Sequence, residues 1–256
     1  MTAAPARSPG TLRARMKGRA RLRGTFVKIP HPQVVEILGG TPIDFIVLDA
    51  EHAAFDIQTI DACVLAARAW ALPVLVRVPT IDSPLIGAVL DMGAAGIFLP
   101  HVATVADARR GIAAALYHGG TRGLTGSARS GAYGGMPDLS TYAHAADEEV
   151  VIVAQLEDAA AIDGIDALLG VERIDGFFIG AADLSLSLAN RGDGPEALPK
   201  AVTHLATAVS SANRALGAYV DRIDQLPARE AAGYSFLTAA SDQAMLRAAA
   251  STISSA

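Results

Sequence analysis

An unbroken apolar run, Phe45-Ile46-Val47-Leu48, stops in Asp49, Glu51 and His52. A run of that kind reads as a strand buried on both faces, so three titratable groups at its end point to a shared chemical task. A carboxylate beside an imidazole raises its basicity and holds its tautomer. His52, next to Asp49 and Glu51, is therefore a candidate general base, against the plainer reading of a loop histidine. Arg77 lies inside VLVRVP, where a guanidinium must be paired. It is either a structural ion-pair partner or a clamp for enolate or carboxylate oxygens. Two further runs end in Gln155 and Glu157, and in Gly180-Ala181-Ala182-Asp183. Glu157 and Asp183, with waters and a chelating substrate, would supply the hard oxygen shell that Mg²⁺ or Mn²⁺ prefers. Asp183 could equally cap a helix starting near Leu184.

Other groups carry weaker signals. His101 ends another apolar run, and Arg122 in GTRG either reaches substrate or pins its own loop. Lys28 is one of only three lysines, and Schiff-base chemistry is open to it in principle. Cys63 lies in an Ala/Leu-rich stretch and reads as a small buried hydrophobe rather than a nucleophile.

The elements that must bring these groups together are strands at 24–29, 44–49, 73–78, 96–100, 150–156, 174–179, 215–220 and 234–239. Between them, helix-like segments cover 57–70, 84–93, 104–117, 158–169, 196–213 and 241–252. Alternation of this kind implies βα units and a parallel sheet. Eight units in 256 residues predict a (β/α)8 TIM barrel, with catalytic groups at the C-terminal ends of the strands. A doubly wound open sheet is the second choice. It is disfavoured because the first βα turn is Pro30-His31-Pro32, not a glycine-rich dinucleotide loop. Residues 21–256 read as a single barrel domain, and 1–20 as a basic tail leading into a short helix. The glycine-rich stretch 118–149 reads as one long irregular piece over one end of the barrel.

Composition narrows the function. A hydrophobic content of 51% with 18% charged residues describes a chain with a sizeable core. The net charge of −5 gives no general attraction to nucleic acid or anionic membrane. No apolar run is long enough to span a bilayer, and the Arg-rich start lacks the apolar core of a secretory signal. A single cysteine excludes an internal disulfide, and a reducing, cytoplasmic location is the expectation. HExxH, paired CxxC and GxSxG motifs are absent, as is a glycine-rich phosphate grip in the last two strands.

The segments FIVLDAEHAAFD, VRVPTIDSPLIGAVLDMGAAGIFLPHV, GTRG, AQLED, DGFFIGAADLS and FLTAASDQAMLRAA occur in that order. Together they resemble the HpcH/HpaI family of class II, metal-dependent pyruvate aldolases, across roughly residues 20–250. The resemblance implies an aldehyde-lyase that reversibly cleaves 4-hydroxy-2-oxo acids. The products are pyruvate, or a related 2-oxo acid, and an aldehyde, formed through a metal-stabilised enolate. It implies a divalent cation (Mg²⁺, Mn²⁺ or Co²⁺) held by Glu157 and Asp183, and His52 as base strengthened by Asp91. It further implies Arg77 at the transition state, with Gln155, Gly180 and the backbone of Ala182 and Asp183 around the 2-oxo acid; Asp49 joins the catalytic set. Finally, it implies a hexamer with exchanged C-terminal helices and sites near subunit boundaries; the expectation for this chain is a homo-oligomer, trimer or hexamer. Gly180-Ala181 departs from the family's usual Gly-Pro, and SARSGAYGG is richer in glycine than expected, which bears on the acceptor aldehyde. Two rival functions stand beside this one. A citrate-lyase-like acyl-CoA lyase would need a basic groove, and a non-catalytic 2-oxo-acid-binding barrel would bind without proton exchange.

Overall fold

The computed structural model describes residues 10–136 and 138–253. The strands are β1 (Leu22–Val27), β2 (Phe45–Asp49), β3 (Val74–Arg77), β4 (Gly96–Leu99), β5 (Val151–Leu156), β6 (Gly176–Ile179), β7 (Ala215–Val220) and β8 (Phe236–Ser241). Each pairs in parallel with the next, and β8 pairs with β1, so the sheet closes. This is the expected (β/α)8 barrel, with all eight strands within a few residues of their predicted places.

The strand period of two divides the core into two shells. Ile46, Leu48, Val74, Val76, Ile152 and Ala154 face out against the helices. Phe45, Val47, Leu75, Val151, Val153 and Phe178 face in and fill the barrel. Phe26, Phe98, Phe178 and Phe236 meet edge-on or tilted, the closest pair, Phe98 and Phe178, at 4.8 Å between ring centres. Rings of this size fit because inward positions elsewhere carry no side chain. A Cβ on Gly217 would lie 2.4 Å from the Phe236 ring. The same inward phase, carried one residue pair further, delivers Asp49 after Val47, Arg77 after Leu75 and Gln155 after Val153. Above the aromatic floor the interior becomes polar.

The opposite end is sealed by the helix Leu12–Lys17, which Thr11 caps by accepting a hydrogen bond from the Ala14 N–H. Its Leu12 and Met16 join the inner shell. Arg13 reaches from it to Asp175 at 2.8 Å and to the Glu148 carbonyl at 2.7 Å. The short basic helix predicted before residue 20 is thus a plug for the barrel, while residues 1–9 of the predicted tail lie outside the described residues.

The Pro30-His31-Pro32 segment is a βα turn as expected and leads into a helix, Pro32–Gly39, because proline suits the first helical position and His31 Nδ1 accepts from the Gln33 N–H. Two predicted features are corrected. The stretch 158–169 is two short helices broken at Gly164. Residues 118–149 are not wholly irregular: Asp138 accepts from the Thr141 N–H and starts a helix, Leu139–Glu149. This segment also joins the end of the helix Val105–Ala115 to the start of β5, which puts it at the N-terminal end of the barrel. It lies opposite the end where the strands deliver their polar groups. No helix of the described residues is long and apolar enough to cross a membrane.

Replacing Arg13 with Ala would leave the Asp175 carboxylate, 1% exposed, with only Arg173 at 3.6 Å and the Ile152 N–H. Loss of a buried partner predicts destabilisation of about 3 kcal/mol. Urea unfolding of the two proteins measures it, and a difference below about 1 kcal/mol would show that the plug is not held by this pair.

Candidate active site

β2 and β3 run side by side, and Asp49 pairs in register with Arg77. The guanidinium meets the carboxylate through two parallel bonds, Nε to Oδ1 at 2.9 Å and a terminal nitrogen to Oδ2 at 2.8 Å. Lys28 Nζ stands 3.2 Å from the same carboxylate, and the His52 N–H donates to it at 3.2 Å. Burial works to raise the Asp49 pKa, but the Arg77 bonds and charge, with Lys28, outweigh it and hold the group below its usual value. Asp49 is therefore a fixed anion whose effect is to lock Arg77, itself lying over the Phe26 ring at 4.9 Å. Lys28 Nζ is engaged with Asp49 in an ion pair and also lines the neighbouring cavity.

A second cluster forms where the ends of β2, β4 and β5 converge. Glu51, 9% exposed at its side chain, lies 3.2 Å from Arg77 Nε, 3.7 Å from His52 Nε2 and 3.7 Å from His101 Nε2. None of these contacts gives Glu51 Oε2 a hydrogen bond, although that atom is buried. Burial raises the Glu51 pKa, with the Arg77, His52 and His101 charges pulling it back. Glu157 is 1% exposed. Its carboxylate accepts from the His101 N–H at 2.8 Å and from the Gln155 amide. Burial pushes the Glu157 carboxyl up to about 7 against these donors, and the charges of Glu51 and Asp183 push the same way. Gln155 Oε1 is buried and unpartnered.

Backbone geometry holds this cluster in place. A Cβ on Gly180 would sit 2.7 Å from Glu157 Oε2, so only glycine lets β6 pass so close. His101 occupies the left-handed region at φ 51°, which turns its N–H towards Glu157.

Glu51, His101 and Glu157 each bring one ligand atom within 4.8 Å of the others. Buried oxygens with too few protein donors, at Glu51 and Gln155, are the mark of a site that a cation completes. The residues present thus fit a divalent metal ion.

A cavity of about 850 Å³ opens beside this cluster, lined by Lys28, His52, Arg77, Gln155 and Gly180-Ala181-Ala182-Asp183 among others. His52 is half exposed there. The helix Ala181–Arg191 begins at Gly180, so Asp183 is its third residue and not its cap. Among the described residues no hydrogen bond or ion pair engages the Asp183 carboxylate. The N–H groups of Ala182 and Asp183 belong to the unsatisfied first turn, which favours an anion.

His52, Arg77, Asp49, Gln155, Glu157, Gly180, Ala182 and Asp183 are thus brought to one place. Asp91 is not. It ends the helix Leu85–Asp91 and bonds Arg122 at 2.7 Å. That helix runs back from the strand ends, so within one chain Asp91 stands at the far end of the barrel from His52 and cannot strengthen it. Arg122, stacked 4.2 Å from the Tyr117 ring, pins its loop at that far end and does not reach the cavity. Sequence reasoning left Glu51 and His101 out of the ligand set. Glu51 lies in the turn after β2, beyond the reach of strand phase, so its place in the cluster follows only from the tertiary structure.

The family model for HpcH/HpaI aldolase/citrate lyase matches residues 22–249. The chain belongs to this family. A curated relative, the 5-keto-4-deoxy-D-glucarate aldolase of Salmonella gallinarum, is 31% identical over 186 residues, 72% of each chain. An HpcH/HpaI aldolase/citrate lyase family protein from Burkholderia cenocepacia has a solved structure that superposes with a TM-score of 0.87. It is 27% identical and covers 95% of this chain and 98% of its own. The solved citrate synthase SbnG is 27% identical with a TM-score of 0.81, covering 96% of both chains.

Glu157 sets a pH dependence. Its folded pKa of about 7 lies above the ordinary 4.5, so without a bound cation folding favours the protonated form. The stability this lends is complete below pH 4.5 and is lost as pH rises through 7. The shift corresponds to about 3 kcal/mol. Unfolding free energies of the EDTA-treated protein at pH 5 to 8 should fall relative to those of Glu157→Gln. Parallel pH curves for the two proteins would contradict the assignment.

Proposed function

We propose that this protein is a metal-dependent aldolase that cleaves 4-hydroxy-2-oxo acids to pyruvate, or a related 2-oxo acid, and an aldehyde. The observation that carries the reading is a cavity lined by a half-exposed imidazole and a locked guanidinium, opening beside a desolvated carboxylate cluster with an unpartnered oxygen on Glu51. Glu157 with Glu51 and His101, and Asp183 at the cavity wall, would hold the cation, which would supply Lewis-acid polarisation of the 2-oxo acid carbonyl. Gln155 and the N–H groups of Ala182 and Asp183 orient the substrate carboxylate at a helix N-terminus. In cleavage His52 takes the proton of the C4 hydroxyl as the C3–C4 bond breaks, and the enolate carbon then regains a proton to give the 2-oxo acid; in addition His52 takes the proton from that carbon and the new alkoxide is protonated. Arg77, kept rigid by Asp49, offsets the negative charge that develops on oxygen. Lys28 contributes charge rather than a covalent bond.

The relative's substrate makes 5-keto-4-deoxy-D-glucarate the first compound to assay. The likeness to a citrate synthase keeps a second carbon–carbon chemistry in view. An acyl-CoA substrate fits less well, since two of the cavity's cations, Lys28 and Arg77, are already bound to Asp49. A homo-oligomer would cover the apolar side of the C-terminal helix Asp242–Ile253, where Leu246 and Ile253 are 63% and 80% exposed.

Pyruvate in deuterated water with Mg²⁺, Mn²⁺ or Co²⁺ should lose its methyl protons in the presence of the enzyme, followed by proton NMR. EDTA should stop the exchange, and borohydride with pyruvate should not inactivate. Asp49→Asn should slow exchange by roughly 100-fold or more by releasing Arg77. Absence of exchange with every ion would leave a binding barrel, and borohydride inactivation would restore Lys28 as a nucleophile.

A further inference from the structure

His101 is not needed where it stands for any reason of packing. Its side chain is 53% exposed, and asparagine or glycine would adopt φ 51° at least as readily. Its backbone N–H already satisfies Glu157, and any residue would supply that. The imidazole itself is held from one side and aimed to the other. Nδ1 lies 3.2 Å from Asp158 Oδ2, within hydrogen-bond reach, while Glu157 Oε1 is beyond it at 3.6 Å. A carboxylate on Nδ1 fixes the proton there and leaves the Nε2 lone pair free. Nε2 faces Glu51 Oε1 at 3.7 Å. Two donors each about 2.1 Å from one ion stand at most about 4.2 Å apart, so a shared ion fits between these two atoms. The other oxygen of the same carboxylate, Glu51 Oε2, is buried and unpartnered.

We propose that His101 is a nitrogen ligand to the cation, oriented by Asp158, and that it shifts the site's preference from Mg²⁺ towards Co²⁺ and Zn²⁺. This rests on the metal-dependent reading above. A shell of carboxylates and carbonyls suits Mg²⁺ and Mn²⁺, whereas imidazole adds affinity for the later divalent ions and little for Mg²⁺. Asp158, adjacent in sequence to Glu157, is then a positioning residue for the ligand.

The test uses the full chain, freed of metal with EDTA and reloaded. Pulsed EPR of the Mn²⁺-loaded protein should show ¹⁴N modulation from a directly bound imidazole, absent in His101→Asn. Calorimetric titration should show Co²⁺ affinity falling about tenfold or more in His101→Asn, with Mg²⁺ affinity changed less than about threefold. Asp158→Asn should weaken Co²⁺ in the same selective way, and it serves if His101→Asn does not fold. Mn²⁺ bound without ¹⁴N modulation, or equal loss of Co²⁺ and Mg²⁺ affinity, overturns the imidazole ligand while leaving the aldolase reading intact. Failure of the unmodified protein to bind any divalent ion overturns both. Glu157→Gln separates the cases, because it should abolish binding of every ion whether or not nitrogen is a ligand.

Discussion

Glu157 is a carboxylate with almost no access to water, placed just above a floor of phenylalanines. Burial of such a group is costly unless its charge is met. The chain meets it only in part, with one backbone N–H and one amide, while Glu51 and Asp183 add charge of the same sign. That unresolved excess of negative charge is the constraint around which the mouth of the barrel is arranged. It explains why His101 is turned into a strained backbone region, why β6 has glycine at residue 180, and why a cation is the group that completes the cluster.

The contrast with Asp49 is instructive. Asp49 is as deeply buried, yet two bonds from Arg77 and an ammonium from Lys28 balance it fully. One carboxylate is thereby a rigid anchor and its neighbour a ligand in waiting. Arg77 gains from the same bonds, because a guanidinium fixed by a bidentate partner needs little reorganisation when charge develops in the cavity. Stability and reactivity divide along the barrel axis. The plug helix, the Arg13–Asp175 pair and the Asp91–Arg122 pair belong to one end, and the carboxylate cluster and His52 to the other.

The barrel was legible in the chain because a parallel strand buried on both faces must be apolar throughout, and eight such runs recur between Ala/Leu-rich helices. The titratable groups at the ends of β2 and β5 were legible for the same reason, since an interruption of an obligatory apolar run stands out. Helices that open on proline or follow a glycine-rich stretch were not, as at Pro32–Gly39 and Leu139–Glu149: their first residues carry loop-like composition, and capping by His31 and Asp138 is a matter of geometry.

By itself, then, the sequence determined that a closed parallel sheet would gather Asp49, Arg77, Gln155 and Glu157 at one end, because strand phase is a local property. Which groups touch was decided only by the tertiary structure. Glu51 and His101 join Glu157, and within one chain Asp91 pairs with Arg122. Those pairings depend on how neighbouring strands are staggered and which way each helix runs, and neither is encoded in the residues on either side of the contact.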